Sequence, residues 1–353
     1  MPLSLRRRRA IATSLAGLAL PLAAQAQPRP LSRIAFGSCA DQTRPQPVWD
    51  AVLAYKPDLF LFLGDNVYAD YATGGAADVE SLRAAYAATE KIEGYARLRR
   101  SVPHLALWDD HDYGQNDGGA GYALKNESKS IFLDFWNAPA DDPRRTREGI
   151  YDARLLGQTG QKVQVIMLDV RWFKSPWRPT DERNAPGKER YLPDEDAAKT
   201  ILGETQWAWL ADQLRVSADV RIIASGFQIV ADGHGWERWG NFPLERQKLY
   251  DTIRATDANG VVFISGDRHL GALYREDEEV PYRLPEATSS GLNKFFPNPR
   301  EEGPNRLGNV YGLPNFGTID IDWWDERVTL SVRDEAGQVV RTLEAQFEDL
   351  KAS

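Results

Sequence analysis

Six short apolar runs, spread along the chain and mostly unbroken by polar residues, constrain this sequence more than any other feature. They are Arg33 to Ser38, Asp58 to Gly64, His104 to Trp108, Lys162 to Asp169, Val220 to Ser225 and Gly260 to Gly266. A strand with one wet face alternates apolar and polar side chains, whereas a strand covered on both faces reads as a continuous apolar run. Leu59-Phe60-Leu61-Phe62-Leu63 and Val261-Val262-Phe263-Ile264 are of the second kind. Helical patterns lie between the runs at Val48 to Tyr55, Val79 to Lys91, Lys125 to Asn137, Glu204 to Arg215 and Leu244 to Ala255, with Glu204-Thr205 as a helix start. Towards the C-terminus, Phe316 to Trp323 and Val328 to Arg333 alternate and the turn Asp334-Glu335-Ala336-Gly337 follows, which predicts antiparallel closing strands. The expectation is an α/β layered domain with a sheet-rich end. Asp141 to Gly149 and Ser175 to Glu195 are rich in Pro and charge and are expected at the surface, the second as a candidate lid.

The first 26 residues differ from the rest. Arg6 to Arg9 form a basic start, Ala10 to Ala24 is apolar, and Ala24-Gln25-Ala26 supplies a small-x-small cleavage site. This is an export signal pattern. Consecutive arginines fit the twin-arginine route, with a general secretory signal as the alternative. The expectation is therefore a signal peptide at 1–26, a single domain at 27–353, engagement of the export machinery, and a periplasmic or secreted location. No apolar run reaches the roughly 18 residues that suggest a permanent membrane span. Without the signal's four arginines, 39 basic side chains face 51 acidic ones, a net charge of −12. That argues against a nucleic-acid-binding module, which needs a basic surface, but not against an anionic substrate held through cations. Cys39 is the only cysteine, so no intrachain disulfide can form; it is either a small buried hydrophobe or a thiolate metal ligand.

Four of the runs lead directly into residues that can bind metals. The segments end in Gly37-Ser38-Cys39, Gly64-Asp65-Asn66-Val67-Tyr68, Trp108-Asp109-Asp110-His111-Asp112 and Gly266-Asp267-Arg268-His269. Ligands of α/β sheets bind beyond the carboxyl ends of strands, so four such ends can place these groups in one cavity. Phenolate and carboxylates suit a hard trivalent ion such as ferric iron, and a thiolate tolerates iron while disfavouring magnesium or calcium. Carboxylates with an amide, such as Asp109 and Asn116, suit calcium, magnesium or manganese. Asp65 is placed to bridge two ions, and close cations would clamp a phosphate and activate water. His104 reads as structural. Arg268, His234 and Arg171 are candidates for substrate contact, Arg171 alternatively for an ion pair with a neighbouring acid.

These residues resemble the PhoD-type alkaline phosphatases, within the purple-acid-phosphatase-like metallophosphoesterases. The matching pieces are Gly37 to Cys39, Gly64 to Tyr68, Trp108 to Asn116 and Ser265 to His269, with further similarity at Trp239 to Gln247 and Thr288 to Asn293. The resemblance implies a four-layer α/β/β/α sandwich and hydrolysis of phosphate mono- or diesters by a metal-activated hydroxide. It implies ferric iron held by Cys39, Asp65, Tyr68 and His269. A divalent ion, calcium before magnesium or manganese, would share Asp65 and take Asp109, Asn116 and Asp267, with Asp110 the alternative to Asp109. His111 falls where relatives keep a general acid or phosphate contact. Longer relatives carry an N-terminal β domain, whereas only Gln27 to Ser32 separate the signal from the first strand here. Tyr68 and Asp267 replace the histidines of the calcineurin-like pattern, so a two-zinc site is not expected. The rival reading is an exported, metal-stabilised protein that binds phosphate ligands without turnover.

Overall fold

The computed structural model describes residues 30–299, 301 and 303–352; the expected signal segment lies outside them. Two sheets pack face to face. The first holds β1 (Arg33–Gly37), β2 (Leu59–Leu63) and β3 (His104–Leu107), parallel to one another, followed on the far side of β1 by antiparallel β13 (Asn315–Asp322), β14 (Arg327–Asp334) and β15 (Val339–Gln346). The second holds β4 (Asp152–Leu156), β5 (Val163–Met167), β8 (Val220–Ser225), β9 (Val261–Ser265), β10 (Gly271–Glu276), β11 (Leu284–Ser289) and β12 (Arg306–Tyr311). Its centre, β5-β8-β9-β11, is parallel, and its two margins are antiparallel. A hairpin of β6 (Arg178–Pro179) and β7 (Tyr191–Leu192) stands apart, inside the excursion expected as a lid.

The unbroken apolar runs follow from this layering. Phe60 and Phe62 of β2 meet Trp49 of α1 (Val48–Tyr55) on the outer face, with ring centroids 5.8 and 6.1 Å apart. Leu61 and Leu63 alternate to the inner face, in one buried core with Val165, Ile222, Val262, Ile319 and Leu330. The chain there also forms α2 (Val79–Thr89), α3 (Glu93–Ser101), the single turn α4 (Asp110–Tyr113) and α5 (Lys125–Phe135). A second core joins Ile223, Val261 and Phe263 to Leu210 of α6 (Gly203–Leu214) and Leu249 and Ile253 of α7 (Pro243–Ala255). The order of layers is α/β/β/α. The expected helices and closing strands are present within a residue or two at each end. The sequence reading did not anticipate α3: Arg97, Arg99 and Arg100 crowd its nine residues and leave only Tyr95 and Leu98 buried, too few for a periodic signal. No helix among the described residues is long and apolar enough to cross a membrane.

Candidate metal centre

The four chemistry-bearing turns follow β1, β2 and β3 of one sheet and β9 of the other, so the centre is closed across the sandwich rather than along one sheet edge. The turns are tied together by backbone. Ala40 N donates to Asp65 O at 2.9 Å, Leu292 N to Ser38 O at 3.1 Å and Gly266 N to Gly226 O at 2.9 Å. Three of the four turns reverse sharply: φ is 63° at Cys39, 48° at Asp65, and 68° and 56° at Asp267 and His269 after β9. Such values cost about 1–3 kcal/mol per non-glycine residue and persist where the surroundings over-determine them, commonly at functional sites. Gly64, with φ 92°, lets two turns nest; a Cβ there would lie 2.4 Å from Asp109 Cβ. Asp112, fully buried, locks the β2 and β3 ends by accepting from Asp65 N at 3.1 Å, Asp109 N at 2.7 Å and Asn66 Nδ2 at 2.6 Å.

Four overlapping groups of ligand atoms result, each with its atoms within 4.8 Å of one another: Cys39, Asp65 and His269; Asp65, Asp110 and His111; Asp109, Asp110 and Asp267; and Asp110, Asp117 and Glu237. Tyr68 joins the first, its Oη donating to Asp65 Oδ2 at 3.0 Å and lying 3.3 Å from His269 Nε2. Asp65 links the first two groups and Asp110 the last three.

The electrostatics are those of crowded anions. Burial, then the Asp110 charge, pushes Asp65 up to about 7. Burial raises Asp109 and Asp267 well above the carboxylate range, the surrounding carboxylates adding to it. Burial works against ionised Asp110 too, yet His111 and Arg171 hold it below that range. Burial drives His269 down to about 3 and lifts Cys39 and Tyr68, the Asp65 charge adding to both rises. Asp109 Oδ2 and Asp110 Oδ1 are buried without a hydrogen-bond partner among the described residues, a condition that costs about 1–3 kcal/mol per group. Bound cations reverse these penalties together, so the residues present fit a metal cluster: a thiol, a phenol and an imidazole at one end, carboxylates at the other.

Around the centre, Arg171 is fully buried, with Nε 2.6 Å from Asp109 Oδ1 and its fork on Glu237 at 2.7 and 2.8 Å. His111 Nδ1 lies 2.7 Å from Asp70 Oδ1, and its ring packs 4.3 Å from that of Tyr68. Tyr191 Oη bonds Asp117 and Trp177 Nε1 donates to Glu237 at 2.5 Å, so the excursion carrying the hairpin touches the fourth group.

The structure thus brings Cys39, Asp65, Tyr68, His269, His111, Asp109 and Asp267 together. Asn116 is exposed, while its neighbour Asp117, at φ 55°, joins the fourth group. Asp110 takes part in three groups and Asp109, engaged by Arg171, in one. Arg268 is bound by Glu301 at 2.9 and 2.7 Å, and His234 Nε2 lies 3.0 Å from Gln228 Oε1, so both are held within the protein. His104, half-buried, bonds Val102 O at 3.0 Å away from the centre. Asp117 and Glu237 were missed by sequence reading. Asp117 is one residue from the chosen amide, and no local pattern marks Glu237.

This arrangement, two helix-flanked sheets with candidate ligands at their strand ends, is that of the metallophosphoesterase fold. A solved structure of PhoD superposes with a TM-score of 0.68 at 16% identity, over 91% of this chain and 69% of that one. A purple acid phosphatase from yellow lupin seeds gives 0.56 at 11% identity, over 92% and 56%. GAP50, described as the anchor in the inner membrane complex of Plasmodium, gives 0.55 at 12% identity, over 92% and 90%. The profile of the PhoD-like phosphatases matches residues 34–292, and the chain belongs to that family. It is 21% identical over 283 residues to alkaline phosphatase D of Bacillus subtilis (strain 168), covering 68% of this chain and 46% of that protein, and so spans about half the length of that relative.

Proposed function

We propose that this protein is an exported phosphoesterase that hydrolyses phosphate mono- or diesters at a centre of ferric iron and one or two divalent cations, calcium before magnesium or manganese. The observation that carries the proposal is the run of overlapping ligand groups joined by Asp65 and Asp110. Iron is assigned to Cys39, Asp65, Tyr68 and His269. The divalent ion is assigned to Asp65, Asp110 and Asp267, with the free Oδ2 of Asp109 beside them. Bound cations would neutralise phosphoryl oxygens and make a water molecule acidic. The chain's own part is to fix these ligands on strained, over-determined turns and to place His111. Asp70 engages its Nδ1, leaving Nε2 to deliver a proton to the departing oxygen.

Purified protein should release alcohol from chromogenic phosphate esters, and strong chelation should abolish this. Asp267→Ala should be inactive; an active variant overturns the assignment. Tight binding of phosphate ligands with no turnover across an ester panel would instead favour a binding protein. The export proposal is checked by fusing residues 1–26 to a folded reporter and measuring its periplasmic fraction with and without Arg7→Lys and Arg8→Lys.

A further inference from the structure

Lys294 is a buried cation that no hydrogen bond among the described residues accounts for. It is 8% exposed, and its Nζ has no hydrogen-bond partner among the described residues. The ammonium sits over two adjoining aromatic rings, 3.7 Å from the ring centroid of Tyr68 and 3.9 Å from that of Tyr71. Its position is set by the backbone of the centre: Lys294 N donates to Cys39 O at 3.3 Å, and Asn293 clamps Asp41 through bonds of 2.7 and 2.8 Å. Tyr71 is itself 53% exposed, and its ring lies against that of Tyr68 with centroids 5.1 Å apart. A solvent-facing lysine would serve to catch a substrate phosphate, but this nitrogen is sealed.

We propose that Lys294 is a positioning residue that tunes the metal centre through the Tyr68 ring. This rests on the assignment of Tyr68 as an iron ligand. An ammonium over an aromatic face is attracted by its electrons, more strongly where desolvated, and more strongly again where the ring carries phenolate charge. Tyr68 Oη is the end of the ring that meets Asp65 and His269. The cation therefore lowers the energy of the phenolate electrons and makes the oxygen a weaker donor, leaving a bound ferric ion with more of its charge for the substrate. Its own charge repels the metal, so its role is to set reactivity and not to hold iron.

The test is the visible charge-transfer band of the iron-loaded full-length protein, read together with iron content and kinetics. Lys294→Met should retain iron, shift the band to longer wavelength by on the order of tens of nanometres and lower kcat with little change in KM. Lys294→Arg should stay near the wild-type wavelength; Lys294→Gln serves if the methionine variant is insoluble. A band unmoved in the neutral variants overturns the inference, as does loss of iron from them, which would mark a purely structural lysine. A raised KM with an unmoved band would mark a substrate contact and overturn it equally. Colourless wild-type protein that nevertheless holds iron brings down the Tyr68 assignment itself.

Discussion

Replacing Arg171 by methionine removes a cation held between two acids with no solvent at hand. The guanidinium is fully buried, 2.6 Å from Asp109 Oδ1 and 2.7 and 2.8 Å from the two oxygens of Glu237. Methionine fills much of the same volume, so packing loss is small, and the cost is that of leaving the acids it bridges without their partner. Breaking one buried pair costs about 3–5 kcal/mol. Burial already holds Asp109 well above the carboxylate range, so it can take up a proton and the stranded charge is that of Glu237; the cost of one pair is still a large part of the roughly 5–15 kcal/mol that holds a typical domain together. Lys174 stands nearby, but burial drives it down to about 7, so it is a poor replacement. Urea unfolding of the chelated protein should show Arg171→Met destabilised by about 3–5 kcal/mol. Arg171→Lys, which keeps the charge and loses the fork, should fall between. Glu237→Gln in the Arg171→Met background should cost far less than it does alone, because it removes a stranded charge; a coupling of at least about 2 kcal/mol is expected for contacting residues. An Arg171→Met cost below about 1 kcal/mol, or additivity within about 0.5 kcal/mol, would refute the claim that this arginine balances the acids.

Gly64→Ala should destabilise by about 2–5 kcal/mol, combining positive-φ strain with a Cβ 2.4 Å from Asp109 Cβ, and should lower metal content; an unchanged denaturation midpoint contradicts the nested turns. Asp142 accepts from Arg144 Nη2 at 2.7 Å, and this pairing leads the shift that lowers its carboxyl to about 2. Its contribution is complete above the unfolded value of about 3.9 and is lost as pH falls through about 2. Asp142→Asn should therefore cost about 1–2 kcal/mol at pH 6 after allowance for solvent screening and about half that at pH 3, measured by urea titration at both pH values. Chelation should lower the thermal midpoint and added cations should raise it with concentration, the unfolding free energy gaining about 2.7 kcal/mol at a hundredfold excess over Kd; a midpoint indifferent to metal argues against a structural cluster.

The continuous run Leu59 to Leu63 announced a strand covered on both faces, and the polar residues after four such runs announced where chemistry sits. That much is local: side-chain period, strand length and the residue type at a strand's end are written in consecutive positions. The family resemblance rested on the same short stretches, and Cys39, Asp65, Tyr68, Asp267 and His269 lie within them. Tertiary structure decided what consecutive positions cannot encode. That β9 lies in the opposite sheet from β1, β2 and β3 depends on strand order, which is set by burial of whole faces. The inward turn of Asp117 beside exposed Asn116 depends on one positive φ. The larger share taken by Asp110 depends on Arg171 and Glu237, 61 and 127 residues further along the chain, which occupy one oxygen of Asp109 and close the last group. Charges that far apart in sequence act on one another only after the fold has excluded water between them, and that exclusion belongs to the assembled sandwich.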